Sequence, residues 1–342
     1  MKALLRILII VAVAITLALS FSPGKAAAAE KTFEFKISVD TVPNHPRNMG
    51  LVIFIEELQK RSGGKLVPKY YHSAQLYKDA HVTKALRTGT VEMAVPGNWV
   101  LEGFDTSTSL TMLPMFFGQP GKITEDLIDG AVGKAVNQSL EKKVGVKSPG
   151  RWYELGYDQT WTRTKKITRQ EDFKGLKIRH SGGSNPEVRL NALGASAVFI
   201  AWPDVPMALV QGTVDGLCST AKSVEGAKLY EAGVKYGTLT RNWSGYYVPM
   251  VSQKFWKSLP PDLQKIFLQV WDDVATKQRQ IARQEQAEAI KLMQGKGVEI
   301  SEPSDEELAK WRKAILPVQD GMSKGLKHDP ALVQLAKKSL GL

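Results

Sequence analysis

Hydrophobic and polar residues alternate from Phe33 through Phe35, Ile37 and Val39, a period of two that predicts a β-strand. After a loop carrying Pro43, His45 and Pro46, the apolar residues Leu51, Phe54, Ile55 and Leu58 recur at helical spacing until Gly63 and Gly64 end the run. Leu66 to Tyr71 predicts a second strand, Val82, Ala85 and Leu86 a helix, and Val91 to Val95 a third strand. The same grammar restarts with a strand at Leu176 to Arg179, after which Asn185 is expected to cap a helix that has Pro186 at its first position and Gly194 beyond its end. Ala197 to Ile200 predicts the next strand, a short helix closes at Gln211, and Tyr246 to Ser252 predicts a strand returning the chain to its first unit. From Pro261 to about Met293 the pattern is that of one long helix. Its apolar stripe of Leu263, Ile266, Phe267, Val270, Trp271 and Val274 thins past Thr276 into a polar stretch, Lys277 to Glu288, as in a helix that bridges two lobes or runs along the surface.

Strands alternating with helices over short intervals place the chain in the α/β class. Its 342 residues exceed what one hydrophobic core usually serves, so two lobes are expected. The expected grouping is residues 30–154 with about 245–280 in the first lobe, and 155–244 with about 281–342, including the C-terminal helices, in the second. Residues 1–29 read as a secretory signal peptide: Lys2 and Arg6 come first, then an apolar run from Ile7 to Leu19, then Ala26 to Ala29. That run is shorter than the roughly 20 apolar residues of a membrane span, so the expected destination is the periplasm.

The net charge of +12 is spread along the chain and not gathered in a stripe, which argues against a nucleic-acid partner. Cys218 is the one cysteine, so no internal disulfide can form. Enzyme motifs are missing. Gly133-Lys134 resembles the end of a phosphate loop, but Ile128 stands where the motif needs glycine, and no G-x-G-x-x-G, G-x-S-x-G or H-E-x-x-H occurs. His45, His72, His81, His180 and His328 lack metal-ligand spacing, so no metal, cofactor or catalytic residue is expected. Cys218 beside Ser219 could serve as a nucleophile, but no base is evident, and a small buried hydrophobe is the plainer reading.

Several separated segments are specific. Asp172-Phe173-Lys174-Gly175-Leu176-Lys177-Ile178-Arg179, Leu193-Gly194-Ala195 and Ala208-Leu209-Val210-Gln211-Gly212-Thr213-Val214-Asp215-Gly216 resemble the P-subunit binding proteins of tripartite ATP-independent periplasmic (TRAP) transporters. Gln75-Leu76, Leu86 to Ala94 and Leu113-Pro114-Met115-Phe116-Phe117 are similar to the corresponding stretches of that family. The resemblance implies a two-lobed periplasmic binding protein fold, type II-like, with a long helix spanning both lobes. It also implies a small carboxylate, an organic acid, held in the cleft and passed to TRAP membrane permease subunits. A monomer is the expected state, although the sequence itself does not settle it.

Carried onto this sequence, the family's carboxylate-binding arginine is Arg179, whose planar guanidinium can pair both oxygens of an acid. Trp202 takes the place of a ligand-flanking aromatic, and Ser219 that of the polar residue after the Val-Asp-Gly turn. Many relatives have Gln-Glu-Asn where this chain has Leu217-Cys218-Ser219, which argues against a polyhydroxylated sugar acid. Where some relatives carry a second arginine, Gln159 or Asp158 stands; Gln159 is taken as the site candidate. Asp40, Asn98, Trp99 and Trp243 are expected near the cleft, and Trp161 near the lobe junction. If the indoles line the cleft, they favour a flat or apolar monocarboxylate. The competing readings are a binding protein for another ligand class, such as a peptide, a phosphorylated compound or a polymer, and an exported hydrolase using Cys218 or a carboxylate pair.

Overall fold

The computed structural model describes residues 31–342; the expected signal peptide lies outside the described residues. The strands in chain order are β1 (Phe33–Ser38), β2 (Leu66–Tyr71), β3 (Met93–Ala94), β4 (Val146–Lys147), β5 (Tyr153–Thr162), β6 (Lys177–His180), β7 (Ser196–Phe199), β8 (Gly216–Ser219), β9 (Tyr236–Tyr247), β10 (Met250–Ser252) and β11 (Glu299–Ser301). They form two sheets, one ordered β2-β1-β3-β10-β4 and the other β11-β9-β5-β8-β6-β7. Parallel β1, β2 and β3 make the body of the first sheet, and β6, β7 and β8 pair in parallel in the second.

Strands β5 and β9 are the longest and run antiparallel from Tyr153↔Tyr247 to Thr162↔Tyr236, with register shifts between Glu154 and Gly156 and between Asp158 and Thr160. Gly156 sits at the first shift with φ +109, where an added Cβ would lie 3.0 Å from Cγ of Gln286. A side chain there would be strained by conformation and by space together. At its far end β9 touches the first sheet through a Gly97↔Tyr247 bridge, and Val248 N–H donates to Pro96 C=O. The chain therefore crosses between the lobes on these two strands.

The helix Pro261–Gly295 crosses with them. Its first half puts Phe267, Val270, Trp271 and Val274 into the cluster built on Phe35, Ile37, Leu51 and Phe54, with Trp271 stacked 4.2 Å from Tyr153. Its last turns put Ala289 and Met293 into a second cluster around Trp161, Val214 and Leu217. The polar stretch between the two clusters meets polar partners: buried Arg279 donates to both Asp129 carboxylate oxygens and to Trp152 C=O. Removal of apolar side chains as large as Trp271 from water contributes roughly 2–3 kcal/mol each, so both ends of the helix are anchored by burial.

Three local expectations differ from the structure, the first being the strand expected over Tyr246 to Ser252, which is split between the end of β9 and β10 in different sheets. The helix expected to begin at Asn185 spans Ser184–Ala192, and Asn185 does not cap it; its amide donates instead to Ser109 C=O. The helix Pro330–Ser339 departs from its expected grouping with the second lobe, since Ala336 joins a cluster with Val132, Val136 and Phe116.

Candidate functional site

Between the lobes lies a cavity lined by residues of both lobes. Asp40, Thr41, Asp79 and Trp99 line it from one side, Arg179, Phe199, Trp202 and Ser219 from the other, and Asp158, Trp243 and Tyr247 of the crossing strands close its base. Contacts across the cleft hold it shut. His45 Nε2 lies 3.1 Å from Ser223 Oγ, Lys78 pairs with Asp204 at 2.7 Å, and the Glu102 carboxylate accepts from Ser184 N–H at 2.7 Å. Burial, and then the charges of Arg47 and Lys222, hold the His45 imidazole well below its ordinary pKa.

On the first side a knot forms around Arg47, which is wholly buried. Its guanidinium donates to Asp79 Oδ1 and Oδ2, Asp40 Oδ1, Thr41 Oγ1 and Val95 C=O, and it lies 4.2 Å over the Tyr247 ring. Burial opposes its charge, but Asp79, Tyr247 and Asp40 outweigh burial and raise its pKa. Asp79 in turn is pushed up by burial and by the neighbouring Asp40, against the pull of Arg47. Arg47 is thus committed to the protein.

Arg179 is set on β6, which lies between β8 and the edge strand β7. It is 2% exposed, yet its only described hydrogen bonds go to neutral backbone: Nε to Ile200 C=O at 2.9 Å and Nη1 to Cys218 C=O at 3.2 Å. The guanidinium lies 5.5 Å over the Trp202 ring and forms no ion pair among the described residues. Burial lowers its pKa to about 10, partly offset by Asp158, which leaves it charged at neutral pH. A buried cation fixed by carbonyls and short of an acid partner is a receptor for an anion.

Six of the expected site residues, Asp40, Trp99, Arg179, Trp202, Ser219 and Trp243, come together at this cavity. Two do not. Asn98 is fully buried and spends its amide on Thr108 C=O, Thr111 Oγ1 and Tyr246 N–H. Gln159 points away from the cavity and accepts from Arg241 N–H at 2.7 Å, while its neighbour Asp158 lines the wall. Trp161 is buried in the second lobe with its indole N–H on Ser219 C=O. Sequence reasoning missed Arg47 and Asp79, which no local pattern marks as paired, as well as Tyr247 and Phe199.

Cys218 also reaches the cavity wall. Burial and the Asp158 charge push its thiol up to about 12, so it stays protonated and is a poor nucleophile. Groups of three or more His, Cys, Asp or Glu side chains able to hold a metal ion are absent among the described residues.

Two lobes closed over a buried, anion-seeking cavity define a solute-binding protein. Residues 37–325 match the model of bacterial extracellular solute-binding protein family 7, and the chain belongs to that family. It is 29% identical over 294 residues to the C4-dicarboxylate-binding periplasmic protein DctP of Rhodobacter capsulatus, covering 84% of this chain and 86% of that one. A TRAP periplasmic solute-binding protein from Ralstonia eutropha H16, solved with bound (S)-2-acetolactate, has a TM-score of 0.84 and 28% identity, covering 90% of this chain and 98% of the other. The galactonate-bound sugar acid binding protein DctPAm of Advenella mimigardefordensis shares the fold, with a TM-score of 0.85 at 23% identity over 90% of this chain and 99% of that one. The family consists of transport proteins that bind small carboxylates and work with TRAP permease components, and TRAP solute-binding proteins are periplasmic.

Proposed function

We propose that this chain is exported by its N-terminal leader, captures a small monocarboxylate as a monomer, and delivers it to a TRAP permease. Arg179 pairs with the carboxylate, and the body of the acid lies against Trp99, Trp202, Phe199 and Trp243. The observation that carries this reading is the buried Arg179 guanidinium, held by two carbonyls and left without an acid partner.

The rest of the cavity favours one carboxylate over two. Arg47 is consumed by Asp40 and Asp79, and Lys78 is engaged by Asp204. A second carboxylate would face the Asp40, Asp79 and Asp158 side chains, and Arg47 and Lys78 beside them are already paired. Although the R. capsulatus relative is named for C4-dicarboxylates, the charges here fit a monoanion with an apolar or aromatic body.

Isothermal titration of the purified protein with a panel of mono- and dicarboxylates tests this directly. Monocarboxylates should bind more tightly than dicarboxylates of equal length, and Arg179→Ala should abolish the heat of binding. Full affinity in the variant overturns the assignment of the anchor.

A further inference from the structure

We infer that the ligand is a 2-hydroxy acid and that Asp158 is the residue that selects its hydroxyl; this rests on the reading of Arg179 as the carboxylate anchor. The cavity is lined by the carboxylates of Asp40, Asp79 and Asp158. Both oxygens of Asp40 accept, from Arg47 and from Asp79 N–H, and both of Asp79 accept from Arg47, with Gly97 N–H also on Oδ2. Asp158 Oδ2 accepts from Asn242 Nδ2 at 3.1 Å. That leaves Asp158 Oδ1 as the carboxylate oxygen of the cavity with no described hydrogen bond. Beside it the Trp243 indole N–H is buried without an acceptor, close to the Asp158 carboxylate but outside hydrogen-bond geometry.

The spacing suits the two neighbouring polar groups of such an acid. Strand β5 carries Asp158 and pairs with β8 at Gln159↔Ser219, and β8 pairs with β6 at Arg179↔Leu217. Asp158 and Arg179 therefore stand two strands apart and three residues out of level, since Arg179 aligns through Leu217 with Trp161, roughly 14 Å between backbones that the long arginine side chain shortens. Their charges influence each other's titration, yet they make no ion pair. The gap between them accommodates a carboxylate on Arg179 with its adjacent hydroxyl on Asp158. A hydroxyl both donates, to Oδ1, and accepts, from Trp243; a keto oxygen only accepts, and a methylene does neither.

Charge separates a hydroxyl from an ammonium. Arg189, 1% exposed, lies 3.6 Å from Asp158 Oδ2 and its nitrogens have no hydrogen-bond partner. Arg179, Arg189 and Asp158 together carry one positive charge, which a monocarboxylate with a neutral hydroxyl cancels. An ammonium placed at Asp158 would sit beside the Arg189 guanidinium, 3.6 Å from the same carboxylate, and be repelled by it.

The test is calorimetric titration of the full-length mature protein with two series: lactate, pyruvate, propionate and alanine, and mandelate, benzoylformate, phenylacetate and phenylglycine. In at least one series the hydroxy acid should bind roughly tenfold or more tighter than its keto, unsubstituted and amino counterparts. Asp158→Ala, with its melting curve recorded alongside, should narrow that ratio to within about threefold. If the variant does not fold, the wild-type series decides alone. Equal affinities within a series that binds, or a preference for the amino acid, overturn the assignment of Asp158 and leave the Arg179 reading standing. Absence of binding in both series, or unchanged binding in Arg179→Ala, overturns the reading itself.

Discussion

Arg47 and Arg179 are both buried beside the same cavity, but their surroundings differ in one respect that separates scaffold from receptor. Arg47 is ringed by two aspartates, a hydroxyl, a carbonyl and an aromatic face, so its charge is answered within the protein. Arg179 is held just as firmly, but by the ends of neutral carbonyl dipoles, and its charge is left for something that comes from outside. A buried cation answered within the chain stabilises the fold, whereas one left open lowers stability until its anion arrives.

That contrast can be broken by mutation. Arg47→Ala should have the largest effect, a loss of about 3–5 kcal/mol in unfolding free energy by urea titration, because Asp40 and Asp79 are left buried without their cation. A loss below about 1 kcal/mol would mean that the knot is not structural. Arg179→Ala should show the reverse pattern. The unliganded protein should change by less than about 1 kcal/mol, while ligand affinity, read by calorimetry, falls by about 2–5 kcal/mol.

Acid should act through His45. Its folded pKa lies below the unfolded value near 6.5, so the unfolded chain takes up a proton first as pH falls. Stability from this group is therefore present above about pH 6.5 and declines below it, by up to about 1.4 kcal/mol per pH unit, and His45→Gln should flatten that limb of the denaturation profile. The smallest effect is expected for Lys78→Ala. The Lys78–Asp204 pair is largely exposed, so its loss should change stability by less than about 1 kcal/mol, and added salt should erase even that difference.

Much of the architecture was legible because the patterns were local. The alternation at Phe33 to Val39 and the apolar stripe from Leu263 to Val274 each follow the period of one element, and both fall where strand β1 and the spanning helix begin. At the cavity, Arg179 and Trp202 were reached through the family's spacing. Gln159 and Asp158 show where such reasoning stops. A strict alternation assigns every second residue of a strand to one face, but β5 shifts register between Asp158 and Thr160, and the inward residue is Asp158. The Arg47 knot was invisible for another reason: its two carboxylates come from separate segments, with Asp79 thirty-two positions from the arginine, and only the folded chain brings them together.

The spanning helix grips β5 by its backbone. Gln278 bonds both N–H and C=O of Glu154, and eight residues on, Gln286 takes Leu155 C=O while accepting from Lys222 N–H across the junction. These two amides act like rivets on a leaf spring. To admit a solute the halves would flex about this seam, since sliding along it would shear four backbone-directed bonds at once. Side-chain replacements at Gln278 and Gln286 would consequently alter how fast the clamshell opens, without touching what it grips.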